Sequence, residues 1–179
     1  MSVLVMKYGG TSVGSPEAIY QAAQNTMVQT ENWSEICVVV SAMAGVTDQL
    51  TLGAESAAEG DPEKYQKILS DLRTKHYQVI EELLQKEYRQ ELTQMVDSLL
   101  DSFDQFCRSI LVLGEVTPRA LDVVTSLGER ILAPLFAAVL SSLGTKSVSV
   151  EATDLIVTDD KHQSAVPVME FTCKQIKNK

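Results

Sequence analysis

Histidine, tryptophan and cysteine are scarce in this 179-residue chain, with two, one and three copies. The cysteines, Cys37, Cys107 and Cys173, lie far apart and form no CxxC pair. Neither a zinc site nor a disulfide framework is indicated, and free thiols, buried or partly buried in a reducing compartment, are expected. Positive charge is short as well. Lys and Arg number 15 against 24 Asp and Glu, a formal net charge of −9, which disfavours a nucleic-acid or anionic-membrane partner. The opening residues lack a secretory n-region and h-region, and no apolar run approaches the roughly 18 residues of a membrane-spanning helix. A cytoplasmic protein is expected.

What is present is a hydrophobic content of 45%, enough for a core, in a chain long enough for one domain or a large part of one. Residues 3 to 6 (VLVM) form a short apolar run, followed at once by KYGGTSVG. Gly9 and Gly10 lack a Cβ, so the backbone there can turn sharply and come close to a ligand. Ser15, Pro16 and Glu17 then read as N-cap, first helical residue and an acid suited to the helix N-terminus. The local order is strand, glycine turn, helix, an arrangement that surrounds an anion with backbone donors. It is neither a P-loop, whose lysine follows the glycines, nor the GxGxxG dinucleotide fingerprint. Lys7 comes first here, and an ordinary turn with a solvated lysine is the plain alternative.

Residues 16 to 31 read as a helix with Ile19, Ala22, Ala23 and Met27 near one face. The continuous run ICVVVSA (36 to 42) has the pattern of a parallel strand buried on both faces, so the unit is βαβ with a right-handed crossover. Asp61, Pro62 and Glu63 start a helix with Tyr65, Ile68, Leu69, Leu72, Val79, Ile80 and Leu83 at helical spacing. A second stripe, Leu92, Met95, Leu99, Phe103, Phe106 and Ile110, completes an αα-hairpin. Thr117 and Pro118 cap a further helix that runs to Gly144. KSVSVE (146 to 151) reads as a third strand, DLIVT (154 to 158) as an extended or loop segment, and Pro167 as the opening of a last helix. His76 and His162 form no site, and Trp33 reads as a partly buried packing residue.

Four blocks in order, KYGGTSVG, VVVSAMAGVTDQL, SLGERILAPLFAAVL and DLIVT, resemble the aspartokinases of the amino acid kinase superfamily, over nearly the whole chain. The resemblance implies an α/β fold of the carbamate kinase-like type, a predominantly parallel sheet sandwiched by helices, here incomplete. It implies use of ATP with Mg2+ to phosphorylate the side-chain carboxylate of L-aspartate, in the biosynthesis of lysine, threonine and methionine, by a homo-oligomer. Phosphoryl transfer depends on positioning and charge neutralisation, and by resemblance Lys7 supplies that beside the transferring phosphoryl. Tyr8, Gly9, Gly10, Thr11 and Ser12 are the implied phosphate-binding residues; Ser41, Thr47 and Glu129 are those implied to hold the amino acid. No metal ligand is implied. Without the resemblance, Thr47 reads as the cap of the following helix. Glu129, costly to bury unpaired, then reads as the partner of Arg130 or Arg119.

The aspartokinase pattern continues with a GRGGSD-type segment, a lobe for adenine and ribose, and small ACT-type regulatory domains, none of which occurs in these 179 residues. The resemblance therefore implies that residues 1–179 form the truncated N-terminal, amino-acid-binding lobe of the catalytic domain, inactive as a kinase by itself. Two other readings stand beside it. One is a kinase of glutamate, acetylglutamate, carbamate or a nucleoside monophosphate, and the other is a non-catalytic binding or assembly module on the same fold. An incomplete sheet leaves an edge and apolar faces that invite self-association.

Overall fold

The structure, a computed structural model, describes residues 2–178; the two end positions of the domain expected over 1–179 lie outside them. Two strands, β1 (Val3–Tyr8) and β2 (Glu35–Val40), pair in parallel with Val3 opposite Glu35 and Tyr8 opposite Val40. Helix α1 (Pro16–Gln29) makes the crossover between them. Four helices follow, α2 (Val46–Ala58), α3 (Pro62–Leu83), α4 (Lys86–Leu113) and α5 (Pro118–Ser142), and α6 (Met169–Lys177) ends the chain.

Three helix starts are set by the residues that the sequence marks. Ser15 Oγ accepts from the Ala18 N–H at 3.3 Å, Asp61 Oδ1 from Lys64 at 3.0 Å and Thr117 Oγ1 from Ala120 at 3.2 Å. Each cap is followed by proline at the first helical position, where its missing N–H costs nothing. The positive φ of Gly144 lies just past the end of α5.

The core sits among α2, α3, α4 and α5. Leu50 and Ala54 of α2 are fully buried, as are Leu72 and Val79 of α3 and Leu127, Ile131 and Leu135 of α5. On α4 the buried line is Leu92, Val96, Leu100, Phe103, Cys107 and Ile110. Met95, Leu99 and Phe106, expected at its centre, pack along its flanks. Across the α3–α4 hairpin, Arg73 Nε donates to Asp97 at 2.9 Å and Tyr77 Oη to the same carboxylate oxygen at 2.6 Å.

The sheet departs from expectation in two respects. Residues 146–150 form no strand, and Val148 and Val150 are exposed; their alternation suits a strand, but they pair with neither β1 nor β2. Nor is β2 buried on both faces. Tyr8, Val38 and Val40 pack on the core, whereas Val3, Val5 and Val39 on the opposite face are 50%, 65% and 44% exposed. Helices therefore cover one face only among the described residues. Helix α5 also qualifies the expectation about apolar length. By length and composition it could cross a membrane, with a mean hydropathy of 1.6 in its most apolar stretch, but 56% of that stretch is buried inside the protein. It carries Glu129 and Arg130 and contains Pro134.

The thiols differ in environment. Cys37 and Cys173 are exposed, against the expectation of burial, while Cys107 is buried and its pKa is pushed up to about 12, chiefly by desolvation. A thiol reagent at pH 8 is expected to modify two cysteines quickly and Cys107 only after denaturation; three fast thiols would contradict this packing.

His76 is fully buried on α3. Its Nδ1 lies 2.7 Å from the Leu72 carbonyl, which can only accept, so Nδ1 carries the proton. Nε2 has no partner. Desolvation lowers the His76 pKa, so the unfolded chain binds the extra proton more readily. Stability is then full above the unfolded value of about 6.5 and declines as pH falls below it. In urea unfolding, His76→Leu is expected to flatten the loss of stability between pH 7 and pH 5; an unchanged slope would assign that loss to other groups.

Candidate active site

The C-terminal ends of the two parallel strands carry the loops that the sequence singles out, the usual place for ligands on open α/β sheets. After β1 the chain turns through Gly9 into one turn of 3-10 helix, Gly10–Val13. After β2 it runs through residues 41–45 into α2. The two loops are joined by backbone hydrogen bonds, Ser41 N–H to the Tyr8 carbonyl at 3.0 Å and Ala44 N–H to the Gly10 carbonyl at 3.1 Å. Between them, the Ala42 N–H donates to Glu129 Oε1 of α5 at 3.1 Å.

The expected pairing of Glu129 with Arg130 or Arg119 is not found among the described residues. Arg130 is engaged elsewhere, with Glu151 at 3.0 Å, and Glu129 forms no ion pair among the described residues. One carboxylate oxygen fixes the 41–45 loop, and the other has no hydrogen-bond partner among the described residues. The half-buried carboxylate thus lies beside the two strand-end loops, bonded by one main-chain donor.

The adjacent glycines have different surroundings. A Cβ on Gly10 would lie 3.1 Å from the Ala42 carbonyl oxygen, whereas one on Gly9 would meet nothing within 4 Å. Gly10 therefore permits the loops to close on each other, and Gly9 leaves backbone open to an approaching group. Gly128 does for α5 what Gly10 does for the turn: a Cβ there would sit 2.6 Å from that of Ala42. A glycine inside a helix costs about 1 kcal/mol against alanine, and close approach of the loop is its compensation.

The remaining residues fall as follows. Lys7, Thr11, Ser12 and Thr47 are exposed and Ser41 is half-buried. Thr47 does not cap α2; the cap position is Gly45 at φ 77°, without a side-chain bond, and Thr47 stands in the first turn. Tyr8 turns inward, its hydroxyl 3.0 Å from Thr26 Oγ1 and its ring 5.8 Å from that of Phe136. Its side chain packs the strand onto the helices beneath the loop. His162 lies 3.3 Å from Asp122 on another part of the surface. No group of three or more His, Cys, Asp or Glu side chains could hold a metal ion among the described residues.

Sequence reasoning missed the Ala42 amide, Gly128 and Lys75, whose Nζ donates to the Ala44 carbonyl at 2.7 Å. Gly128 carried a signal, an isolated glycine in a helical run. Lys75 carried none, since its partner is a main-chain carbonyl 31 residues away.

A model of the amino acid kinase family matches residues 2–176. The aspartokinase of Candida albicans is 28% identical over 157 residues, which are 86% of this chain and 28% of that protein. The chloroplastic aspartokinase 3 of Arabidopsis thaliana is 29% identical over 178 residues, 98% of this chain and 30% of that protein. The solved structure of aspartokinase III of E. coli in complex with aspartate and ADP superposes with a TM-score of 0.87 at 22% identity, covering 99% of this chain and 37% of that one. The chain thus spans about three tenths of the length of the curated relatives it matches.

Gly128→Ala is expected to force Ala42 away from α5 and break its bond to Glu129, at an overpacking cost of about 1–3 kcal/mol, or about 2–10 °C in Tm. The Ala42 amide resonance should move with it. A variant with unchanged Tm and an unmoved Ala42 resonance would show that the loop does not depend on this contact.

Proposed function

The chain belongs to the amino acid kinase family and has its fold, and on that premise we propose that it forms the amino-acid-binding part of an aspartate kinase. The observation that carries this reading is the Ala42–Glu129 bond, which places a half-free carboxylate at the mouth of the two strand-end loops. That carboxylate suits the α-ammonium of an amino acid. The aspartokinase relatives favour aspartate, and the bound aspartate of the E. coli structure agrees with them.

Aspartate's side-chain carboxylate, ionised at neutral pH with a pKa near about 3.9, is already a nucleophile. One of its oxygens attacks the γ-phosphorus of ATP as the bond to the ADP oxygen breaks, giving 4-phosphoaspartate and ADP, and no proton has to be removed. The protein's task is then position and charge. Lys7, exposed at the end of β1, is the cation for the transferring phosphoryl. Gly9 leaves open backbone for phosphate oxygens, with Thr11 and Ser12 beside it, and Ser41 and Thr47 line the amino acid. Mg2+ bound with the nucleotide supplies further charge neutralisation. In this reading the described residues hold the acceptor, and adenine and ribose are held by the part of the relatives that this chain does not span.

Titration of the isotope-labelled chain with L-aspartate is expected to shift the amides of residues 41–47 and 129. Glu129→Gln should weaken the affinity by about tenfold or more, the loss of a charged hydrogen bond, while Lys7→Ala leaves it within about twofold. The same shifts with glutamate at equal affinity would transfer the reading to another small amino acid, and no shift with either would refute it.

A further inference from the structure

The segment 41–45 is held from three sides. Tyr8 and Gly10 bond it along the β1 loop, Glu129 bonds it from α5, and Lys75 bonds it from α3. The third restraint differs in kind. A cleft of about 370 Å3, lined by Gly14, Ser15, Met43, Asp71, Thr74 and Lys75 among others, runs between α3 and the start of α1. Where apolar packing is missing, Lys75 reaches from α3 to the Ala44 carbonyl.

The Ala44–Gly45 peptide is the pivot of the loop. It immediately follows the Ala44 N–H that bonds Gly10, and it leads into the positive φ of Gly45 at the start of α2. An ammonium on its carbonyl oxygen makes a charge-assisted hydrogen bond, stronger than a neutral one. Because the peptide is planar and trans, fixing the carbonyl also fixes the N–H of Gly45, which points the opposite way. Lys75 is half-buried and makes no ion pair among the described residues, and its bond to the exposed Ala44 carbonyl is its one hydrogen bond among them.

We propose that Lys75 is a positioning residue: by holding the Ala44 carbonyl it keeps residues 41–45 in the conformation in which the Ala42 amide meets Glu129, and so prepares the amino-acid site. The claim that the site takes an amino acid rests on the reading above. The tether itself does not.

Lys75→Met removes the donor and keeps the length of the stem, and Lys75→Arg keeps a donor. Hydrogen exchange of the 179-residue chain reads the tether without any ligand. In Lys75→Met the Ala42 and Ala44 amides are expected to exchange about tenfold faster, with Val79 and Leu100 unchanged, and Lys75→Arg should restore part of the protection. L-aspartate should bind the Met variant about tenfold more weakly, as expected when the competent conformer becomes a minor fraction. Unchanged exchange at Ala42 and Ala44 overturns the proposal, as does acceleration spread evenly over α3 and α4, which would make Lys75 a general stabiliser. Faster loop exchange with unchanged aspartate affinity overturns the positioning role. Should the unsubstituted chain not bind aspartate, the functional reading fails and the exchange data still decide the tether.

Discussion

One carboxylate oxygen on one amide N–H fixes the loop after β2 against the helical core. The Glu129–Ala42 bond ties α5, the helix that runs through the core, to the loop leaving β2. It forms only because Gly128 and Ala42 together leave so little bulk between them. The cost of keeping a half-buried charge is met by a backbone donor, so the carboxylate is oriented without a cation that would compete with a ligand. The other contacts of the site gather around residue 42, including the closure of the first turn on the second loop.

The helical body was written plainly in the sequence. Ser15–Pro16, Asp61–Pro62 and Thr117–Pro118 are local signals acting over three residues, and the α3 stripe repeats often enough to be read without knowing its partner. The α4 stripe is legible in half of its members: Leu92, Phe103 and Ile110 lie in the buried line, while Met95, Leu99 and Phe106 flank it and Val96, Leu100 and Cys107 fill the centre instead. The expected third strand is absent. Alternation in KSVSVE states only a local preference, and β propensity depends on cross-strand and same-face neighbours, which these residues do not have in β1 or β2.

The site was legible in its charged residues and opaque in its main chain. Glu129 stood out as a carboxylate in an apolar run, and KYGG as a loop that had to approach something. What orients them is an amide, a carbonyl and a missing Cβ, and these appear in every sequence at every position. Tyr8 illustrates the limit from the other direction. Its place in the motif suggested contact with phosphate, while alternation along β1 sends its ring inward to Phe136 and its hydroxyl to Thr26.

Pro134 gives α5 a mechanical character beyond its place in the core. Proline cannot donate to the carbonyl four residues earlier, here Arg130, so one rung of the helical ladder is missing directly after Glu129. Helices bend most cheaply where a rung is lost, which makes this point a soft joint between two stiff arms. The arm after the joint ends at Ser142, whose carbonyl accepts from Gln85 Nε2 at 2.8 Å at the α3–α4 junction. The end of α5 is thus anchored at the α3–α4 junction, and the missing rung lies next to the residue whose carboxylate holds the 41–45 loop.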